Sequence, residues 1–226
     1  MVLEIINREI EQYKKLISST DYDELYKWEA LKSFQDNWDP DSNDFKSMYD
    51  RSLHSKHSGN LWANPHWFPK AVMLKFIEHD ENRVRQMFLD LFDEGGHING
   101  RIERFVFNCD ELIRTIYEFD KAMKNHFHDG QRMVSLYLAF RFPDRYAIYK
   151  FTEFKTFMEI VKAKDIPGTG EHERFFKVVK TLYGILTRDP DLVQLHRRTL
   201  TDECYKGETL MLAQDFIFRT ARRYMT

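Results

Sequence analysis

Apolar residues recur three or four positions apart along most of the chain, the pattern of amphipathic helices. Val2, Ile5, Ile6, Ile10, Tyr13, Leu16 and Ile17 trace a first stripe, which Ser18-Ser19-Thr20-Asp21 interrupts. Trp28, Leu31 and Phe34 predict a second helix over residues 25–34. Phe45, Met48 and Tyr49 predict a third over residues 44–53. Pro40 separates these two, because its ring and missing N–H end a helix. Residues 54–69 lose the periodicity: His54, His57, Gly59, Asn60, Pro65, His66 and Pro69 are mixed with Trp62, Trp67 and Phe68. So many large rings predict a loop packed down onto the body. Another helix is predicted from Ala71 to Ile77, with a break near His79-Asp80.

Val84, Met87, Phe88, Leu91 and Phe92 form a strong stripe. It is expected to stop at Asp93-Glu94-Gly95-Gly96, where glycines can take a positive φ. Between Gly100 and Met123, Ile102, Phe105, Cys109, Leu112 and Ile116 mark the best candidate for a central helix. After the polar stretch His126 to Gly130, residues 133–140 read as a buried helix. Residues 153–161 read as helix again, and three more are expected after Glu171, divided near residues 187–190 and 205–207.

One stretch departs from this rhythm. Arg141-Phe142-Pro143-Asp144-Arg145-Tyr146-Ala147-Ile148-Tyr149-Lys150-Phe151 alternates aromatic and cationic residues around a Pro-Asp turn. Residues 146–151 fit either a short strand or an extended strut with no partner. In a strand, Tyr146, Ile148 and Lys150 would face one side and Ala147, Tyr149 and Phe151 the other. The fold class expected is therefore mainly α: a multi-helix globular protein with at most a small β element near residues 145–151. Residues 1–165 read as the main helical N-terminal region. Residues 171–226 read as a C-terminal helical subregion, separate or part of the same domain, after the loop Ile166-Pro167-Gly168-Thr169-Gly170.

Charge narrows the function only a little. The 34 basic and 36 acidic residues leave a net charge of -2, so no overall field favours nucleic acid, although a local patch remains possible. Cys109 and Cys204 are far apart and form no disulfide framework, which fits a reducing compartment. No segment resembles a signal peptide or reaches transmembrane length, so a cytoplasmic protein with no membrane association is expected.

Catalytic signatures are weak. His54 and His57 could share a helical face, and His126 and His128 could bracket a bend. Neither pair has further ligands close in sequence, so no metal and no cofactor are expected. Glu153, Lys155 and Asp144 make a poor metal-dependent nuclease centre, because Glu153 and Lys155 diverge on a helix. There is no Gly-x-Ser-x-Gly elbow and no phosphate-binding Gly-x-x-x-x-Gly-Lys-Ser/Thr loop. No catalytic residue is assigned. The better candidates are for binding. Arg141, Arg145, Lys150 and Lys155 could contact phosphates, while Tyr146, Trp62 and Trp67 could stack a base. The same aromatic and cationic residues would also suit a protein interface.

The segments Tyr26-Lys27-Trp28-Glu29-Ala30-Leu31-Lys32-Ser33-Phe34-Gln35-Asp36-Asn37-Trp38-Asp39, Val84 to Glu94, Arg101 to Phe105 and Tyr137 to Lys150, taken in this order, resemble the N-terminal regions of McrB-like AAA+ GTPases, the motor subunits of modification-dependent restriction systems. The resemblance spans about residues 26–155, with echoes at Glu203-Cys204-Tyr205 and Ala213-Gln214-Asp215-Phe216. The resemblance implies a non-catalytic specificity module that recognises double-stranded DNA, in some members by flipping a modified cytosine. It further implies a GTPase domain in the same polypeptide or an adjacent subunit, and a nuclease subunit recruited by that motor. These N-terminal regions vary widely in fold, and their base-pocket residues cannot be placed on this sequence. The near-zero net charge fits this reading less well and keeps a protein-interaction or oligomerisation role open.

Overall fold

The computed structural model describes residues 1–62 and 66–225, and there the chain is helical, with no β-sheet. Pro65, part of the irregular stretch noted above, lies outside the described residues. The helices are α1 (Leu3–Ile17), α2 (Tyr26–Asn37), α3 (Phe45–Ser52), α4 (Gly59–Trp62), α5 (Pro69–His79) and α6 (Glu81–Phe92). They continue with α7 (Ile98–Phe119), α8 (Arg132–Arg141), α9 (Phe151–Ile160), α10 (His172–Leu186), α11 (Pro190–Thr199) and α12 (Met211–Tyr224). None among the described residues is long and apolar enough to cross a membrane.

Side chains that satisfy orphan N–H groups set several helix starts. Asp44 accepts from the Ser47 amide at 2.9 Å, Asp80 from Arg83 at 3.0 Å and Asp189 from Leu192 at 2.9 Å. Pro69 and Pro190 occupy first turns, where a missing N–H costs nothing. The end of α6 differs from expectation. Neither Gly95 nor Gly96 adopts a positive φ. The chain leaves the helix through an extended Asp93, whose carboxylate accepts from the Gly95 amide at 3.0 Å. An Asx turn thus does the work expected of a left-handed glycine.

The buried apolar residues form two cores. The first is enclosed by α2 to α8, where Phe88 is fully buried among Trp38, Tyr49, Phe105 and Tyr137. The second is built from both ends of the chain, since α1 packs on α11 and α12 while α9 and α10 pack on α12. Tyr149 and Phe175 stack there at 4.1 Å. The aromatic-rich stretch 54–69 is partly packed down: Leu61 and Trp62 are buried, Trp67 is half-buried and Phe68 is exposed.

Arg145 closes the turn, and residues 146–150 are an extended strut, not a strand. The Tyr149 amide donates to Ser135 Oγ at 2.8 Å, so α8 takes a hydrogen bond that a neighbouring strand would otherwise receive. The period of two survives, but both sides are interior. Ile148 enters the first core, while Ala147 and Tyr149 enter the second. Tyr146 packs against both. A solvent-facing side for this stretch, which the strand reading required, does not exist along residues 147–149.

Candidate anion site around Phe218

Where the two cores meet, α12 carries a run of cations around one aromatic ring: Phe218-Arg219-Thr220-Ala221-Arg222-Arg223. The Phe218 ring is half-buried. Lys27 Nζ lies 4.5 Å from its centroid, Lys150 Nζ 4.1 Å and the Arg222 guanidinium 5.2 Å. A ring face attracts each cation singly, but three around one ring also repel one another.

Carboxylates answer most of that charge. Lys27 is fully buried, 2.6 Å from Asp215 Oδ1 and 2.7 Å from Glu24 Oε2. Tyr13 and Tyr22 donate to the other Asp215 oxygen at 2.5 and 2.9 Å. Burial, and then the Asp215 charge, raise both phenols well above their ordinary range, so they stay donors. Arg219 pairs with Asp23 and Glu24 at 3.2 and 3.0 Å, and Arg222 with Glu153 at 2.8 Å.

Two cations are left over. No ion pair to Lys150 or Arg132 occurs among the described residues. Arg132 lies 4.3 Å over the Trp67 ring and donates to the Asn60 carbonyl at 3.2 Å, yet its Nε is buried without a hydrogen-bond partner. Lys150 is half-buried, and its amine is pushed down to about 7, first by burial and then by the charges of Arg132 and Lys27. Gln214 Oε1, on α12, is also buried and unpartnered. Lys150, Gln214 and Phe218 line one narrow crevice. Phe218 also lines an open cavity of about 740 Å³ with Gln12, Tyr13, Glu24, Arg219 and Arg222.

The seven residues singled out from the sequence do not share one surface. Lys150 is in this cluster, and Trp67 reaches it through Arg132. Arg145 turns instead to Glu94, with Asp144 at 3.7 Å. Arg141 is exposed at the end of α8, with its guanidinium 5.4 Å from the Phe142 ring. Lys155 is exposed on α9, 3.9 Å from Glu159. Tyr146 packs edge-on to Phe176 at 4.9 Å, donates to Glu94 at 2.9 Å and accepts from Arg101 at 3.3 Å. Trp62 keeps only 3% of its surface exposed and offers no free face to a base. Lys27, Arg132, Arg222 and Phe218 were not anticipated. The one sequence signal for them is the cationic run flanking Phe218 near the end of the chain.

The chain matches no known family model, no curated protein and no solved structure.

Proposed function

We propose that this chain is a non-catalytic module that binds duplex DNA, with the Lys150–Arg132 corner beside Phe218 as its main phosphate contact. One observation carries the reading: Lys150 and Arg132 are neighbouring cations with no ion pair among the described residues, and Lys150 lies close to the Phe218 ring, which also lines an open cavity walled by Glu24, Arg219 and Arg222. Like charges set together in a partly dry site are costly, and an anionic ligand removes that cost. Phosphate suits the pair, because arginine forks onto its oxygens and lysine adds a point charge. Arg222, exposed at the cavity rim, extends the contact outward. The role assigned is binding without turnover, as the resemblance implies.

This reading keeps the partner implied by the resemblance to McrB-like N-terminal regions and moves the contact from the Pro143-Asp144 bend to the cations gathered around Phe218. Binding of a labelled duplex, followed by anisotropy at several salt concentrations, tests it. Each phosphate neutralised is expected to contribute about −0.9 to the slope of log affinity against log salt. No binding at low salt, or binding without a salt slope, would rule the module out as a DNA binder.

A second reading rests on exposed rings along α7. Phe107, Tyr117 and Phe119 on α7 are 60%, 40% and 81% exposed. Such rings suit a protein partner, and truncating them would weaken association with that partner without altering DNA affinity.

A further inference from the structure

Cys109 on α7 meets the two histidines that flank Phe127. One sulfur and one nitrogen from each ring lie within 4.8 Å of one another. Cys109 and His128 are fully buried, and His126 nearly so. This group adjoins the first core through Cys109 and does not depend on the DNA reading.

The surroundings of each imidazole fix which nitrogen carries the lone pair. His128 Nδ1 is 2.5 Å from the His126 carbonyl oxygen, an acceptor only, so Nδ1 holds the proton and Nε2 the lone pair. His126 Nε2 is 3.0 Å from the Asp110 carboxylate, which makes it the donor and leaves the lone pair on Nδ1. That Nδ1 accepts from the His128 amide at 2.9 Å, and His128 Nε2 accepts from the Tyr137 hydroxyl at 3.1 Å. Histidine oriented by a carboxylate on one side and histidine oriented by a backbone carbonyl are the two arrangements that prepare imidazoles to bind metal. The rings are nearly parallel, with centroids 5.9 Å apart, and Phe127 between them is held at φ 61, uncommon for a residue with a bulky side chain.

We propose that Cys109, His126 and His128 form a binding site for a zinc-type divalent metal. One thiolate and two imidazoles match the donor preference of zinc over calcium or magnesium. Tetrahedral bond lengths would bring the donor atoms to roughly 3.5 Å apart, so the site closes by about an ångström on binding. On binding, the Cys109 thiol gives up its proton to solvent, and the two imidazole lone pairs exchange their present N–H and O–H partners for the metal. The released Tyr137 hydroxyl still has Tyr49 at 2.7 Å as a partner.

Cobalt(II) is the probe, because a thiolate ligand gives a sulfur-to-cobalt charge-transfer band that neither imidazole nor carboxylate produces. The full chain, stripped with a chelator, is expected to develop that band at one cobalt per chain and to lose it on adding zinc. Cys109→Ser should abolish the band, and Cys204→Ser should leave it intact. His126→Ala should weaken cobalt binding by at least about tenfold, since loss of even an outer-shell partner of a ligand costs that much. Absence of the band, or a band that depends on Cys204, overturns the proposal. If Cys109→Ser does not fold, unchanged cobalt affinity in a folded His126→Ala chain overturns it equally.

Discussion

Lys27 Nζ and Asp215 Oδ1 meet at 2.6 Å, although 188 residues separate them and neither side chain is exposed. The pair joins α2, which faces the first core, to α12, which faces the second. Its geometry is well satisfied: Tyr13 and Tyr22 bond the second carboxylate oxygen, and Glu24 gives Lys27 a second partner. Breaking it from one side strands a buried charge. Asp215→Ala is therefore expected to cost about 3–5 kcal/mol in urea unfolding, and Lys27→Met a comparable amount. Lys27→Met combined with Asp215→Leu should recover a large part of the sum, because both charges are then gone. Costs that add without recovery would show that the two do not act as a pair.

Lys150 makes stability depend on pH. Its folded value is lowered to about 7 from 10.5, so between those values the unfolded chain binds more protons. Stability from this group therefore rises as pH increases from about 7 to 10.5. Below that window the amine is charged in both states, and its burial penalty is present in full. Lys150→Met should stabilise the protein at neutral pH, on the order of 1–3 kcal/mol once residual solvation of the amine is allowed for. The gain should shrink toward the top of the window. A loss of stability at pH 7 would mean that the amine has a partner in the folded state.

The cations at the Pro143-Asp144 bend serve as the control. Arg145 and Lys155 are exposed, and each has a carboxylate neighbour. Removing either should change stability by less than about 1 kcal/mol. Removing either should also leave duplex affinity within about threefold, since neither is the unpaired cation that the account requires. A tenfold loss in Arg145→Ala alone would return the binding surface to the bend.

Trp62 and Trp67 should separate in the same assays. Trp62 is buried in the first core, so Trp62→Ala is expected to destabilise by about 3–5 kcal/mol. Trp67 instead supports the Arg132 guanidinium from 4.3 Å. Trp67→Leu should weaken duplex binding roughly three- to tenfold through the displaced arginine, with a smaller effect on folding. Equal effects of both substitutions on folding and binding would remove Trp67 from the site.

Helix positions were legible because their stripes are local. The Ile102, Phe105, Cys109, Leu112 and Ile116 series reads as one face of α7, and all five are buried. What the stripes face is not local. The spacing of Ile6, Ile10 and Tyr13 gives no sign that α1 packs on helices near the opposite end of the chain. Around residues 146–151, the alternation of side chains was correct, but a period of two does not reveal whether one side or both are buried. Lys150 was legible as a phosphate candidate from its aromatic neighbours in sequence. Its actual neighbours, Arg132 and Phe218, are brought to it by packing. The same limit applies to Cys109, whose nearness to His126 and His128 depends on how α7 docks against the turn before α8.

Duplex affinity measured across pH 7 tests the central claim most directly, because phosphodiester charge is constant there and Lys150 titrates there. The account predicts that wild-type binding weakens as pH rises through 7, that Lys150→Arg binds with little pH dependence, and that Lys150→Met binds roughly tenfold more weakly below pH 7. Affinity that is the same in all three proteins at every pH would contradict it.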